Sequence, residues 1–240
     1  MAVLDPTLDR ERALFKRGAR YVIGCDEVGR GALAGPVAVG LSVIDITVSG
    51  IPTGLRDSKL VSEKKRETLE PAARDWARFS TVGLATPQEI DDLGITAALG
   101  LAGRRALIAL HEAGLSVADS VVLLDGHHDW LNPALTSRVR VQTQVKADRD
   151  CASVAAASVI AKVHRDRLMI AAHDDTPAYE WAGNKGYGSA GHLAAIAEHG
   201  ATDFHRRTWL RAPDLELDLG LDSGLDVRFD ARLDLDPVGL

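Results

Sequence analysis

The stretch Asp26-Glu27-Val28-Gly29-Arg30-Gly31 sets two carboxylates side by side and follows them with an arginine between glycines. Two further acids stand in comparable settings. Asp125 closes the apolar run SVVLL and precedes Gly126, and Asp148 follows the alternating run RVRVQTQV (138–145). Sites in open α/β sheets form at the carboxyl ends of strands, so three strand ends deliver four carboxylates to one rim. Four like charges repel unless a cation lies among them. Oxygen-only ligands suit hard divalent cations, Mg²⁺ or Mn²⁺. Two such ions about 4 Å apart activate water and stabilise the leaving oxygen of a phosphodiester. The spacing alone leaves a nuclease, a phosphatase and another Mg²⁺ enzyme open. Adjacent strand residues face opposite ways. Asp26 and Glu27 therefore share a site only if the strand ends at them, and Gly29 and Gly31 are expected to supply that end.

The elements that must position these acids follow from pattern. Residues 7–17 make a charged helical turn or two. RYVIGCD (20–26) and PVAVGLSVI (36–44) are strands joined by a glycine-rich connection. SEKKRETLEPAARDWA (62–77) is a solvated helix with Ser62 as N-cap, and Pro71 predicts a kink or break in it. FSTVGLA (79–85) is a third strand. TPQE (86–89) carries a capping box with proline at the first helical position, and a longer helix spans 96–114. SVVLLDG (120–126) is a buried parallel strand, and 138–145 is a strand with one wet face. An Ala-rich helix covers roughly 151–172, with Ser158, Lys162 and Arg165 on one face. A short helix, 189–200, has Ser189 as cap and Gly200 beyond its end. The order predicts an α/β fold, a mixed central sheet flanked by helices, with a small C-terminal helical addition.

Three segments result: a catalytic core over 1–175, a C-terminal helical part over 176–212 and an acidic low-complexity tail over 213–240, expected to be disordered. The tail holds eight acids and two arginines, which accounts for the whole net charge of −6 and leaves 26 acids and 26 bases in the first 212 residues. A neutral body can still present a basic face, so the global charge does not exclude nucleic acid. No apolar run reaches about 18 residues, which argues against a membrane span, and charge breaks every apolar run near the N-terminus, which argues against a signal peptide. Cys25 and Cys151 fit neither a disulfide framework nor a zinc pattern and read as small core residues. A reducing cytoplasm is the expected location.

The run GCDEVGRGALAGPVAVG resembles the signature of the type 2 ribonucleases H, in their bacterial form ribonuclease HII. The likeness continues in order through LRDSKLVSEKKRE (55–67), LLDG (123–126), VKADRDCASVAAASVIAKVHRD (145–166), NKGYGSAGH (184–192) and HGATDFHRRTW (199–209), covering residues 10–210. Several long motifs in one order are specific where a lone pattern is not. The resemblance implies a ribonuclease H-like sheet and a catalytic, metal-holding tetrad of Asp26, Glu27, Asp125 and Asp148. It implies two Mn²⁺ or Mg²⁺ ions, and substrate contacts from Gly29, Arg30, Gly31 and Tyr187. The implied reaction is a cut on the 5′ side of a ribonucleotide in duplex DNA, or within the RNA strand of an RNA–DNA hybrid, leaving 3′-hydroxyl and 5′-phosphate ends, by a monomer with no membrane attachment. The sequence departs from the family pattern at Ala147 and Gly188, where glycine and proline are usual.

Two other readings compete: a structure-selective DNA nuclease on a similar sheet, and a hybrid-binding module without turnover. Lys162 and Arg165 fit either a nucleic-acid contact or a solvated face. Lys64, Lys65 and Arg66 read as helix surface, and His127, His128 and Asp129 as a plain loop. Trp209 reads as a packing anchor, and Lys59 as a phosphate contact or an orienter of an acid.

Overall fold

The computed structural model describes residues 5–210; the tail expected over 213–240 lies outside them. In chain order the elements are α1 (Asp9–Lys16), β1 (Tyr21–Val28), β2 (Val37–Asp45), α2 (Glu63–Trp76), β3 (Phe79–Ala85), α3 (Pro87–Leu93), α4 (Ile95–Glu112), β4 (Ser120–Asp125), β5 (Arg140–Gln144), α5 (Ala147–Asp150), α6 (Ala152–Asp175), α7 (Trp181–Asn184) and α8 (Ala190–His199). Five strands form one mixed sheet in the order β3-β2-β1-β4-β5. β1 pairs antiparallel with β2 and parallel with β4, and β4 pairs parallel with β5.

The central strand is buried on both faces, and its side chains alternate between two cores. Tyr21, Ile23 and Cys25 join Leu99, Ala102, Ala106 and Leu110 of α4 on one side. Val22 joins Ala152 and Val154 of α6 on the other. Helix α6 lies directly on the sheet because β1 and β2 carry glycine beneath it. A Cβ on Gly24 would stand 2.2 Å from the Ser153 backbone, and one on Gly40 would stand 2.4 Å from the Ala157 carbonyl. The N-terminus of α6 has no cap from Cys151. Instead Glu11 reaches over from α1 and accepts from the Ser153 N–H at 2.9 Å and its hydroxyl at 2.8 Å.

Thr86 and Glu89 make the expected capping box, and Ser189 caps α8. Two local expectations need correction. Ser62 sits at the start of α2 but makes no side-chain cap bond. The helix runs unbroken through Pro71; Pro71 is exposed, and so is Glu67, so the carbonyl that loses its partner there meets water rather than a buried surface. Cys25 and Cys151 are free and buried, as read from the sequence. Among the described residues no helix is long and apolar enough to cross a membrane.

Candidate active site

The four acids occupy the carboxyl rim of the β1-β4 pair and the turn after β5. Parallel pairing sets Cys25 opposite Leu124, so Asp26 and Asp125 leave neighbouring strands at the same level. Asp148 sits in the first turn of α5. The expected strand end is displaced: β1 continues through Asp26 and Glu27 to Val28, and only then does Gly29 turn at φ 84°. Asp26 therefore faces the α6 layer, where the nearby Ser158 hydroxyl favours its charged form, and Glu27 faces the opposite layer. The two meet as charges at the rim.

Charge and burial mark the group. Burial pushes Asp26 well above the usual carboxylate range, and the charges of Glu27, Asp125 and Asp148 push it further. Burial also raises Glu27, against the pull of Arg30. Asp148 is raised to about 6 by burial, then by the charges of Asp125 and Asp57. Each carboxylate leans on a protein donor. Asp125 Oδ1 accepts from the Ala147 N–H at 2.7 Å, Asp26 Oδ1 from the Glu27 N–H at 2.9 Å, and Glu27 Oε1 from Arg30 Nη1 at 3.5 Å. Lys59 Nζ stands 3.8 Å from Asp148 Oδ2. Among the described residues no three His, Cys, Asp or Glu side chains already close around one point as an ion cage. One oxygen at the rim is nevertheless spare: Glu27 Oε2 is buried without a hydrogen-bond partner among the described residues. An all-oxygen donor set with a buried unpartnered carboxylate oxygen fits a hard divalent cation.

Three residues around the acids lie inside motifs quoted from the sequence but were given no role there. Asp57, buried, is a fifth carboxylate beside Asp148. Ser58 accepts a 2.9 Å hydrogen bond from Ser158, whose hydroxyl lies near Asp26. Arg206, fully buried, grips the loop after β1. Motif spacing gave Asp57 and Ser58 no role because they sit in a polar loop about 30 residues beyond Glu27. Ala147 carries no backbone penalty: the left-handed residue is its neighbour Lys146, at φ 60°, and Ala147 is helical with its N–H on Asp125.

The positively charged faces resolve differently from expectation. Arg165 is wholly buried. Lys162 pairs with Asp166 at 2.5 Å, and Ser158 is buried, so this face of α6 is internal rather than solvated. Lys64 and Lys65 are exposed as read, whereas Arg66 turns inward and donates to the carbonyls of Ser58 and Val61. Asp129 caps the turn at Leu131 and Asn132, and Trp209 packs on the α4 core. Gly31 is exposed beside Arg30. Tyr187 is 39% exposed, its ring 5.7 Å from the Arg165 guanidinium.

The backbone of Tyr187 is fixed from behind by two neutral histidines. His205 Nδ1 accepts from the Thr202 N–H at 3.0 Å, so its proton lies on Nε2, which faces His192 Nε2 at 3.1 Å. Trp181 Nε1 donates to the same His192 nitrogen, so His192 carries its proton on Nδ1 and donates it to the Tyr187 carbonyl at 2.9 Å. Burial and the neighbouring His192 hold His205 down to about 4. The unfolded chain takes up a proton near pH 6.5 that the folded chain refuses until about pH 4. This contribution is complete above pH 6.5 and is lost as pH falls from there to about 4, by about 3 kcal/mol at most. The melting temperature should fall over that window. His205→Asn, whose Oδ1 replaces the accepting nitrogen, should flatten the profile; an equally steep profile in the variant would assign the acid sensitivity elsewhere.

A five-stranded mixed sheet in this order, with acids at the carboxyl rim, is the ribonuclease H-like α/β class. The family model for ribonuclease HII matches residues 23–212. The ribonuclease HII of Streptomyces griseus subsp. griseus is 48% identical over 208 residues, covering 85% of this chain and 84% of the relative. That of Roseobacter denitrificans is 43% identical over 194 residues, covering 80% and 91%. Among solved structures, the ribonuclease H2 of Pyrococcus horikoshii OT3 superposes with a TM-score of 0.62 at 28% identity, covering 79% of this chain and 93% of the other. The chain belongs to the ribonuclease HII family and is a type 2 ribonuclease H, an endoribonuclease.

Proposed function

We propose that the enzyme is a divalent-metal-dependent endonuclease that cuts on the 5′ side of ribonucleotides embedded in duplex DNA and cleaves the RNA strand of RNA–DNA hybrids, leaving 3′-hydroxyl and 5′-phosphate ends. The observation that carries the metal is the buried Glu27 Oε2, unpartnered among the described residues, beside Asp26, which burial and the charges of Glu27, Asp125 and Asp148 raise. Asp26, Glu27, Asp125 and Asp148 would hold Mg²⁺ or Mn²⁺, with two ions matching four carboxylates. A divalent cation there supplies positive charge at the scissile phosphate and makes water acidic enough to attack it.

The protein's own part is placement. Arg30, exposed beside the acids, offers a fork for a phosphate next to the scissile one. The thin backbone at Gly29 and Gly31 admits the sugar, whose 2′-hydroxyl tells RNA from DNA. Tyr187 offers a ring to the same nucleotide. Lys59 offsets part of the acid charge; burial pulls it down, but the charges of Asp26, Asp57, Asp148 and Asp125 outweigh that and raise it. One protomer carries every residue named, so the reaction needs no second copy.

The test is one gel. A labelled duplex containing a single ribonucleotide is compared with an RNA–DNA hybrid and with all-DNA and all-RNA duplexes, each with Mg²⁺, Mn²⁺ or chelator. The expected result is metal-dependent cleavage of the first two only, with ligatable 3′-hydroxyl ends. Equal cutting of the all-DNA duplex would replace the ribonucleotide reading with that of a structure-selective nuclease, and cutting in chelator would remove the metal.

A further inference from the structure

Among the described residues two arginines are wholly buried, and none of the carboxylates described pairs with either. Arg165, on α6, donates from Nε to the Pro36 carbonyl at 2.8 Å, from Nη1 to Lys185 at 2.9 Å and from Nη2 to Ala34 at 3.0 Å. Arg206, near the end of the described chain, donates to Gly29 at 2.6 Å, to Arg30 at 2.8 Å and twice to Gly35 at 3.1 and 3.2 Å. Burial, with Arg165 beside it, pulls the Arg206 guanidinium below its usual value. A buried charge served only by carbonyls is costly and calls for an account.

The account lies in the polarity of the loop 29–36. The two guanidiniums take the carbonyls of Gly29, Arg30, Ala34, Gly35 and Pro36, five of the eight in the loop. The N–H groups of Ala32, Leu33, Ala34 and Gly35 also turn inward, to Gly29, Gly186 and Phe204 carbonyls. The N–H groups of Arg30 and Gly31 have no partner within the described residues, and both residues are exposed. The loop thus hides most of its acceptors and leaves the Arg30 and Gly31 donors free for a phosphate or sugar oxygen. Arg165 extends the same grip to the other wall, since it holds the Lys185 carbonyl and lies 5.7 Å under the Tyr187 ring. Gly29 fits this clamp: a Cβ there would stand 2.1 Å from Arg165 Nε.

We infer that Arg165 and Arg206 are positioning residues for substrate: a guanidinium clamp that turns the carbonyls of residues 29–36 inward and locks that loop and Tyr187 into one frame around the nucleotide. The inference rests on the proposed substrate reading. The clamp touches none of the four acids, so its loss should fall on substrate binding rather than on chemistry. Lysine keeps the charge but cannot hold three carbonyls in a fixed fork.

The experiment measures KM and kcat for a single-ribonucleotide duplex with wild type, Arg206→Lys and Arg165→Lys, each checked by a melting curve. A wild type that fails to cut this duplex overturns the substrate reading before the clamp is tested. With an active wild type, the expected result is a KM raised about tenfold or more with kcat within about threefold; tenfold corresponds to about 1.4 kcal/mol. A partly unfolded protein behaves differently, since losing active molecules lowers kcat and leaves KM unchanged. Unchanged KM in both folded variants overturns the clamp. So does failure of both to fold, which would assign the arginines to stability. If one folds, its KM decides.

Discussion

Asp26→Asn should lower cleavage of a single-ribonucleotide duplex by about 10³-fold or more while the protein stays folded. Asp26 is 4% exposed and stands where the charges of Glu27, Asp125 and Asp148 converge. A cation at a phosphoryl oxygen contributes several kcal/mol to the transition state, and each 1.4 kcal/mol lost is tenfold in rate. The asparagine keeps the shape but removes one of the charges that would hold the ion. A second signature separates this from damage to the fold. Without divalent metal the variant should melt above wild type, because one of several repelling charges is gone. Adding Mn²⁺ should raise the melting temperature of wild type by ligand linkage and raise the variant less. Glu27→Gln and Asp125→Asn should follow the same pattern. An Asp26→Asn protein that cuts at the wild-type rate, or that Mn²⁺ stabilises as much as wild type, would sink the metal site.

Asp26 and Asp125 were legible because each closes an apolar run, which has one usual fate in an α/β sheet, and Asp148 because it follows an alternating strand. The five strands, the capping box at Thr86 and the chain order of the helices followed from the same periodicities. What pattern could not supply was the way Asp26 and Glu27 meet. Alternation required a strand end between them, yet β1 runs on to Val28, and the two carboxylates lie on opposite layers and interact at the rim. The guanidinium clamp was hidden for a different reason. Helix α6 carries alanine on nearly every side, so nothing in its sequence distinguishes the buried face of Arg165 from a wet one. Its partners are carbonyls, which have no sequence signature, and they come from loops far away in the chain, as do those of Arg206. Asp57 is a related case: a lone acid in a polar loop is unremarkable until the fold sets it beside Asp148.

Tyr187→Ala should lose about 5- to 150-fold in kcat/KM on the single-ribonucleotide duplex, and Tyr187→Phe much less. The range follows from the worth of one aromatic stacking contact with a nucleotide, about 1–3 kcal/mol. The structure separates the ring from its backbone. The Tyr187 N–H bonds to Asn184, and its carbonyl accepts from the Ser189 N–H at 2.8 Å and from His192. The backbone therefore stays in place whatever the side chain, while the ring stands 39% exposed over the Arg165 guanidinium. Removing a ring held mostly by solvent and one cation face should shift the melting temperature little. Phenylalanine keeps the stacking surface and gives up only the hydroxyl, so the gap between the two variants measures the ring and the gap between phenylalanine and wild type measures the hydroxyl. The four acids lie on other segments, so Mn²⁺ should raise the melting temperature of both variants as much as that of wild type. A Tyr187→Ala protein that cuts normally, or that unfolds, would return the residue to packing and leave Arg30 and the loop around it to read the substrate without the ring.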